Sequence, residues 1–152
     1  MYIEKTCAFT GHRDIVDPID MTFFETCVQE LIDRGFDTFL CGMARGFDLL
    51  AGELVVKLKE SNPHVKLIAC IPCPDQDKYY SPNEKEKYKR VLTACDEVKL
   101  LNEKFYKGCM LMRDRYMVDN CSLVFAYDRK SEGGTHYTLT YAQSKKKKII
   151  IM

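Results

Sequence analysis

Short apolar runs alternate with longer amphipathic segments from one end of the chain to the other. Strand-like runs fall at 5–10, 36–41, 65–71, 97–101, 122–127 and 148–151, with helical patterns at 19–34, 47–59, 82–94, 109–119 and 135–144 between them. The first helical segment carries Phe23, Phe24, Cys27, Leu31 and Ile32 as an apolar stripe, and Gly35 is placed to cap its end. The second repeats the pattern with Leu50, Leu54 and Leu58 and stops at Ser61-Asn62-Pro63. This alternation predicts the α/β class, a Rossmann-like, doubly wound, mainly parallel sheet with helices on both faces. No repeat, low-complexity stretch or linker interrupts it, so residues 1–152 read as one domain.

Charge changes the picture by subtraction. The 23 Lys+Arg against 22 Asp+Glu leave a formal charge of +1, so no global field recruits nucleic acid or a membrane surface, and any anion site has to be local. The chain passes from Met1 directly into an apolar strand, with neither a signal-peptide core nor a transmembrane run, which predicts a cytoplasmic protein without a membrane partner. Its eight cysteines are spread through strand and helix patterns, as expected of reduced, buried thiols. Cys70-Ile-Pro-Cys73 has a redox-like spacing, but it ends a strand instead of opening a helix, and no second pair or histidine completes a metal set. The four lysines at 145–148 suit a solvated helix end, where cations complement the dipole.

In a doubly wound sheet ligands settle beyond the carboxyl ends of the strands, which directs attention to three exit loops. In the first, Gly11 allows a close turn, Thr10 offers a hydroxyl, and His12 and Arg13 follow, Arg13 with a planar fork for phosphate. The second runs Gly42-Met43-Ala44-Arg45-Gly46-Phe47-Asp48, where two glycines four apart expose N–H groups at a helix start. It is neither a Walker A loop nor a Gly-x-Gly-x-x-Gly fingerprint, which argues against phosphoryl and hydride transfer. Asp48 either orients Arg45, accepts from a ribose hydroxyl, or simply opposes the helix dipole. The third loop, Glu132-Gly133-Gly134-Thr135, carries the strongest signal: paired glycines and a hydroxyl at the start of a helix that continues through Thr138. On the fourth helix, Met110, Met117 and Val118 form a core face beside Arg113 and Asp119, and Arg113 is either a ligand contact or a surface ion-pair partner.

Together, Thr10-Gly11-His12-Arg13, the 42–48 loop with its Gly42, Ala44, Arg45, Gly46 and Asp48, the helix from Arg113 to Asp119, and Gly133-Gly134-Thr135 followed by Thr138 and Tyr141-Ala142 resemble the YpsA-like family of the SLOG superfamily over nearly the whole chain. That superfamily includes the LOG phosphoribohydrolases and the DprA/Smf DNA-processing proteins. The resemblance implies a bacterial stress or signalling setting and a nucleotide or nucleotide-derived ligand held by the residues just named. It implies no further cofactor and no metal, makes nucleic acid an unfavoured partner, and leaves a homo-oligomer open. Three departures matter. Arg113-Asp114 stands where the family pattern has Arg-Asn, so the acid either weakens an anion contact or holds the guanidinium. Tyr79 stands where the pattern favours tryptophan and still offers a ring to a base. Thr138 stands where the LOG enzymes carry a catalytic glutamate, and neither Glu132 nor Glu53 has the spacing to replace it. The expectation is therefore a binding or sensing protein, with N-glycosidic cleavage and DprA-like single-strand binding as alternatives.

Overall fold

A computed structural model describes residues 2–152. A 3-10 turn, Ile3–Lys5, leads into β1 (Thr6–Gly11), and strands then alternate with helices: α1 (Met21–Asp33), β2 (Thr38–Cys41), α2 (Phe47–Lys59), β3 (Lys66–Ile71), α3 (Pro82–Ala94), β4 (Glu97–Leu100), α4 (Cys109–Asp119), β5 (Leu123–Tyr127), α5 (Gly134–Ser144) and β6 (Lys148–Ile151). All predicted elements form, with ends that move by a residue or two. Asp20 caps α1 by accepting the Phe23 N–H at 3.1 Å, which leaves Ile19 outside the helix. Gly35, at φ 104°, turns the chain so that the Phe36 N–H returns to Leu31 O, and β2 starts at Thr38 instead of Phe36.

The sheet runs β4-β3-β2-β1-β5-β6, every neighbouring pair parallel. β1 is central, with Cys7 opposite Phe39 of β2 and opposite Leu123 of β5. Because β1 to β4 are laid down toward one edge and β5 and β6 toward the other, the winding direction reverses between β1 and β5. A crevice opens at such a reversal, beyond the carboxyl ends of the two strands.

Alternation along the strands sorts the core into two layers. Cys7 and Phe9 face the α1–α3 layer, where Phe9, Phe24, Phe39, Phe47, Phe125 and Tyr127 form an aromatic cluster. Phe9 stacks on Phe39 at 5.7 Å and Phe47 on Tyr127 at 5.8 Å. On the other face Ala8, Leu40, Val124 and Ala126 pack against Met117 and Val118 of α4 and Leu139 and Ala142 of α5, so the α4 methionine Met117 is core. The cysteines are free, and burial pushes the Cys70 thiol up to about 12, out of range for redox work at neutral pH.

Parallel strands joined by helices bring every strand's carboxyl end and every helix's N-terminus to one edge. There the helices divide into two kinds. Beside the Asp20-capped α1, α3 carries a capping box between Ser81 and Glu84, whereas α2, α4 and α5 begin at Gly46, Gly108 and Gly133, all at positive φ and without a side-chain cap. No helix among the described residues is long and apolar enough to cross a membrane.

Candidate functional site

The β1 and β2 exit loops are wedged together at the reversal point. The Phe47 N–H donates to His12 O at 3.1 Å, and a Cβ at Gly46 would overlap Arg13 O, while one at Gly11 would overlap the Phe47 ring. Glycine is thus required at Gly46 twice over, by φ 81° and by the close approach. Gly46→Ala is expected to cost at least about 1–2 kcal/mol in urea unfolding. Gly108→Ala, at φ 96° with nothing near its Cβ, should cost less. Equal losses would show that the two loops are not wedged.

Around this wedge lie two adjoining hollows that share Arg13. The first, about 270 Å³, is walled by Gly11, His12, Arg13, Asp14, Lys130, Gly134 and Thr135. It combines the bare start of α5 with two cations, Arg13 and Lys130, that have no ion-pair partner among the described residues. The second, about 150 Å³, is walled by Arg13, Ala44, Arg45, Gln76, Tyr79, Tyr80, Met110 and Arg113. A larger hollow of about 360 Å³ lies away from the strand ends, and its acids Glu25, Glu30 and Asp33 make it unsuited to phosphate.

His12 is buried and structural in its contacts. Its Nε2 accepts the Arg129 N–H at 2.7 Å, which selects the neutral ring, and burial lowers its pKa in the same sense. The 3.3 Å approach of Nε2 to Asp128 Oδ1 is therefore not an ion pair.

Behind the second hollow lies a buried ionic cluster. Arg113, 4% exposed, donates from Nη1 to Gly42 O and from Nε to Asp114 Oδ1 at 2.7 Å. Asp114 thus holds the guanidinium. Asp114 Oδ2 stands 3.3 Å from Thr138 Oγ1, and that hydroxyl lies 2.8 Å from Gly134 O. Asp48 is the surplus acid of the cluster. It accepts the Ala44 N–H at 3.3 Å, and burial pushes its carboxyl from 3.8 to about 7 despite the Arg113 charge. Asp48 does not orient Arg45, whose Nη1 pairs with Asp14 at 2.8 Å. Arg113 is likewise no surface ion-pair partner.

Of the residues expected from the sequence, Gly11, His12, Arg13, Gly134 and Thr135 meet in the first hollow, and Arg13, Ala44, Arg45 and Arg113 in the second. Thr10, Gly42, Gly46, Asp48, Gly133 and Thr138 line neither hollow; of these, Gly42 O accepts from Arg113, Gly46 lies against Arg13 O, Asp48 accepts the Ala44 N–H and Thr138 Oγ1 lies 2.8 Å from Gly134 O. Asp119 is not brought to this edge: it ends α4, just before β5 begins, and accepts from Tyr141 OH at 2.8 Å. Tyr79, 87% exposed, lines the second hollow, but Tyr80 is the more buried ring, donating to Met43 O at 2.9 Å. Asp14, Gln76, Tyr80 and Lys130 line the hollows too, without having been candidates on sequence grounds. Gln76 and Tyr80 lie in the exit loop of β3, and the rule that singled out the other exit loops applies equally there.

The family model YpsA, described as the YspA SLOG family, matches residues 6–151. A UPF0398 protein of Halalkalibacterium halodurans is 30% identical over 125 residues, covering 80% of this chain and 66% of that protein. The SPbeta prophage-derived protein YoqJ of Bacillus subtilis is 35% identical over 129 residues, covering 76% of this chain and 75% of its own. Among solved structures, DNA processing protein A (DprA) of Streptococcus pneumoniae superposes with a TM-score of 0.67 at 18% identity, over 99% of this chain and 50% of that one. DprA of Helicobacter pylori, described with its single-stranded DNA binding mode, gives 0.66 at 21% identity, over 96% of this chain and 64% of that one. These structural likenesses establish a shared fold. The chain spans half the length of the Streptococcus DprA and about two thirds of the Halalkalibacterium relative.

Proposed function

The chain belongs to the YpsA SLOG family, and from that premise we propose that it binds or senses a nucleotide or nucleotide-derived ligand at the β1/β5 reversal. The observation that carries this reading is the pair of hollows joined at Arg13, the first of them an uncapped helix start with two unpaired cations. The phosphate sits at Gly134 and Thr135, with Arg13 donating from the side and Arg45 from the neighbouring loop. The same reading takes the protein as cytoplasmic and calls for no other cofactor. Thermal unfolding with ADP-ribose, NAD and nucleoside monophosphates tests it. At least one of these should raise the melting temperature, and a panel without any shift removes the reading. A Cβ at Gly134 meets no protein atom, so Gly134→Val should leave the free protein's melting temperature nearly unchanged and abolish the ligand-induced shift.

One observation favours a second reading, cleavage of an N-glycosidic bond. Asp114 presents a carboxylate beside Thr138, the position where the LOG enzymes carry their glutamate. Release of free base, lost in Asp114→Asn, would favour it. Single-stranded DNA, which the H. pylori neighbour binds, is the third occupant to test. A steep fall of binding with salt would support it, against the formal charge of +1.

A further inference from the structure

We propose that the second hollow is a base-binding subsite that selects nucleobases bearing an exocyclic amino group, with Gln76 Oε1 as the acceptor. This rests on the nucleotide reading above and deepens it.

Gln76 lines the hollow, yet its side chain is almost wholly buried, 7% exposed. Its Nε2 donates to Gly42 O at 2.8 Å, and the same carbonyl receives Arg113 Nη1. That bond fixes the amide: turning it over would set Gln76 Oε1 against a carbonyl oxygen. Oε1 is consequently the free end, and it is a buried side-chain oxygen with no hydrogen-bond partner. Buried acceptors are seldom left unpaired, and in this proposal a ligand's donor completes this one once the side chains that cover it shift to admit it.

Three of the neighbouring donors are directed elsewhere: Tyr80 OH goes to Met43 O, Arg113 to Gly42 O and Asp114, and Arg45 to Asp14. Arg13, the remaining one, also walls the first hollow and is left for the anion. The incoming donor has to suit the remaining walls, the exposed ring of Tyr79 and the thioether of Met110, which fit a flat aromatic group. An amino-bearing base supplies both features: a flat ring and an N–H₂ at its edge. Hypoxanthine and uracil present a carbonyl where adenine and cytosine present the amino group, and would place an acceptor against an acceptor.

The two hollows then divide one ligand. The wider one, with Arg13, Lys130 and the α5 start, takes the anion, and the narrower one takes the base. Arg13 stands between them.

Titration calorimetry on the wild-type protein with two matched pairs, AMP against IMP and CMP against UMP, tests this without a variant. AMP should bind about tenfold or more tightly than IMP, and CMP should be favoured over UMP in the same sense. In Gln76→Leu the AMP-to-IMP ratio should collapse to about one. That substitution also removes the bond to Gly42 O, and the IMP affinity controls for any loss of loop order. Equal affinities within both pairs would overturn the base subsite while leaving the nucleotide reading intact, as would a ratio that survives Gln76→Leu. Binding of none of the four would overturn the base subsite, and the nucleotide reading falls with it only if ADP-ribose and NAD fail to bind as well.

Discussion

Arg113→Met is expected to lose about 3–5 kcal/mol of folding stability above neutral pH, because it leaves the buried Asp48 and the part-buried Asp114 without their cation. Asp114 sits 2.7 Å from Arg113 Nε and already balances the guanidinium, so Asp48 is the carboxylate that burial drives up to about 7. The folded protein keeps a proton on Asp48 that the unfolded chain releases once the pH passes 3.8. This group's contribution to stability is therefore largest below about 4 and is lost as the pH rises through about 7. Urea unfolding from pH 4 to 8 should show that decline in the wild type and a steeper one in Arg113→Met. Asp48→Asn should flatten it, since the amide carries no charge to desolvate and still accepts the Ala44 N–H. If Asp48→Asn keeps the wild-type slope, Asp48 is not the group that titrates.

Arg13→Ala should weaken ligand binding about 10–100-fold, the loss of one or two charge-assisted hydrogen bonds, while leaving the free protein's melting temperature unchanged. The asymmetry follows from the contacts. Arg13 walls both hollows and has no ion-pair partner among the described residues, so its removal disturbs no pair in the free protein. Arg45 is held by Asp14 at 2.8 Å and approached by Glu84 at 3.8 Å, so Arg45→Ala should give a smaller loss of affinity. Calorimetry on the two variants checks the order, and wild-type affinity in Arg13→Ala would remove Arg13 from the site.

The sequence made the sheet and its helices legible because periodicity is a local signal: Phe9 and Ala8 point to opposite layers whatever lies beside them. Gly11, Arg13 and Gly134 were visible for a related reason, since glycine and arginine at a strand exit carry their chemistry in their own type. What stayed hidden depends on neighbours distant in sequence. Asp48 and Arg113 feel each other's charge only because the start of α2 and the middle of α4 both close on Gly42, and nothing in the 42–48 loop announces a second acid from Asp114. Gln76 gave no pattern at all. Its meaning lies in one carbonyl, Gly42 O, taken by two donors, a fact about three segments at once. Asp119 shows the opposite failure, a residue in the right helix at the wrong end of it.

The reversal between β1 and β5 also sets an order of events. His12 and Arg129, whose bond closes the first hollow from behind, are 117 positions apart in the chain. Pairing β5 with β1 is the most non-local step in the topology, and the anion hollow is complete only once it has formed. A ligand bound across Arg13 and Gly134 stitches the two halves at their seam. It should therefore act chiefly by slowing the unfolding of the finished protein, and much less by hastening its formation.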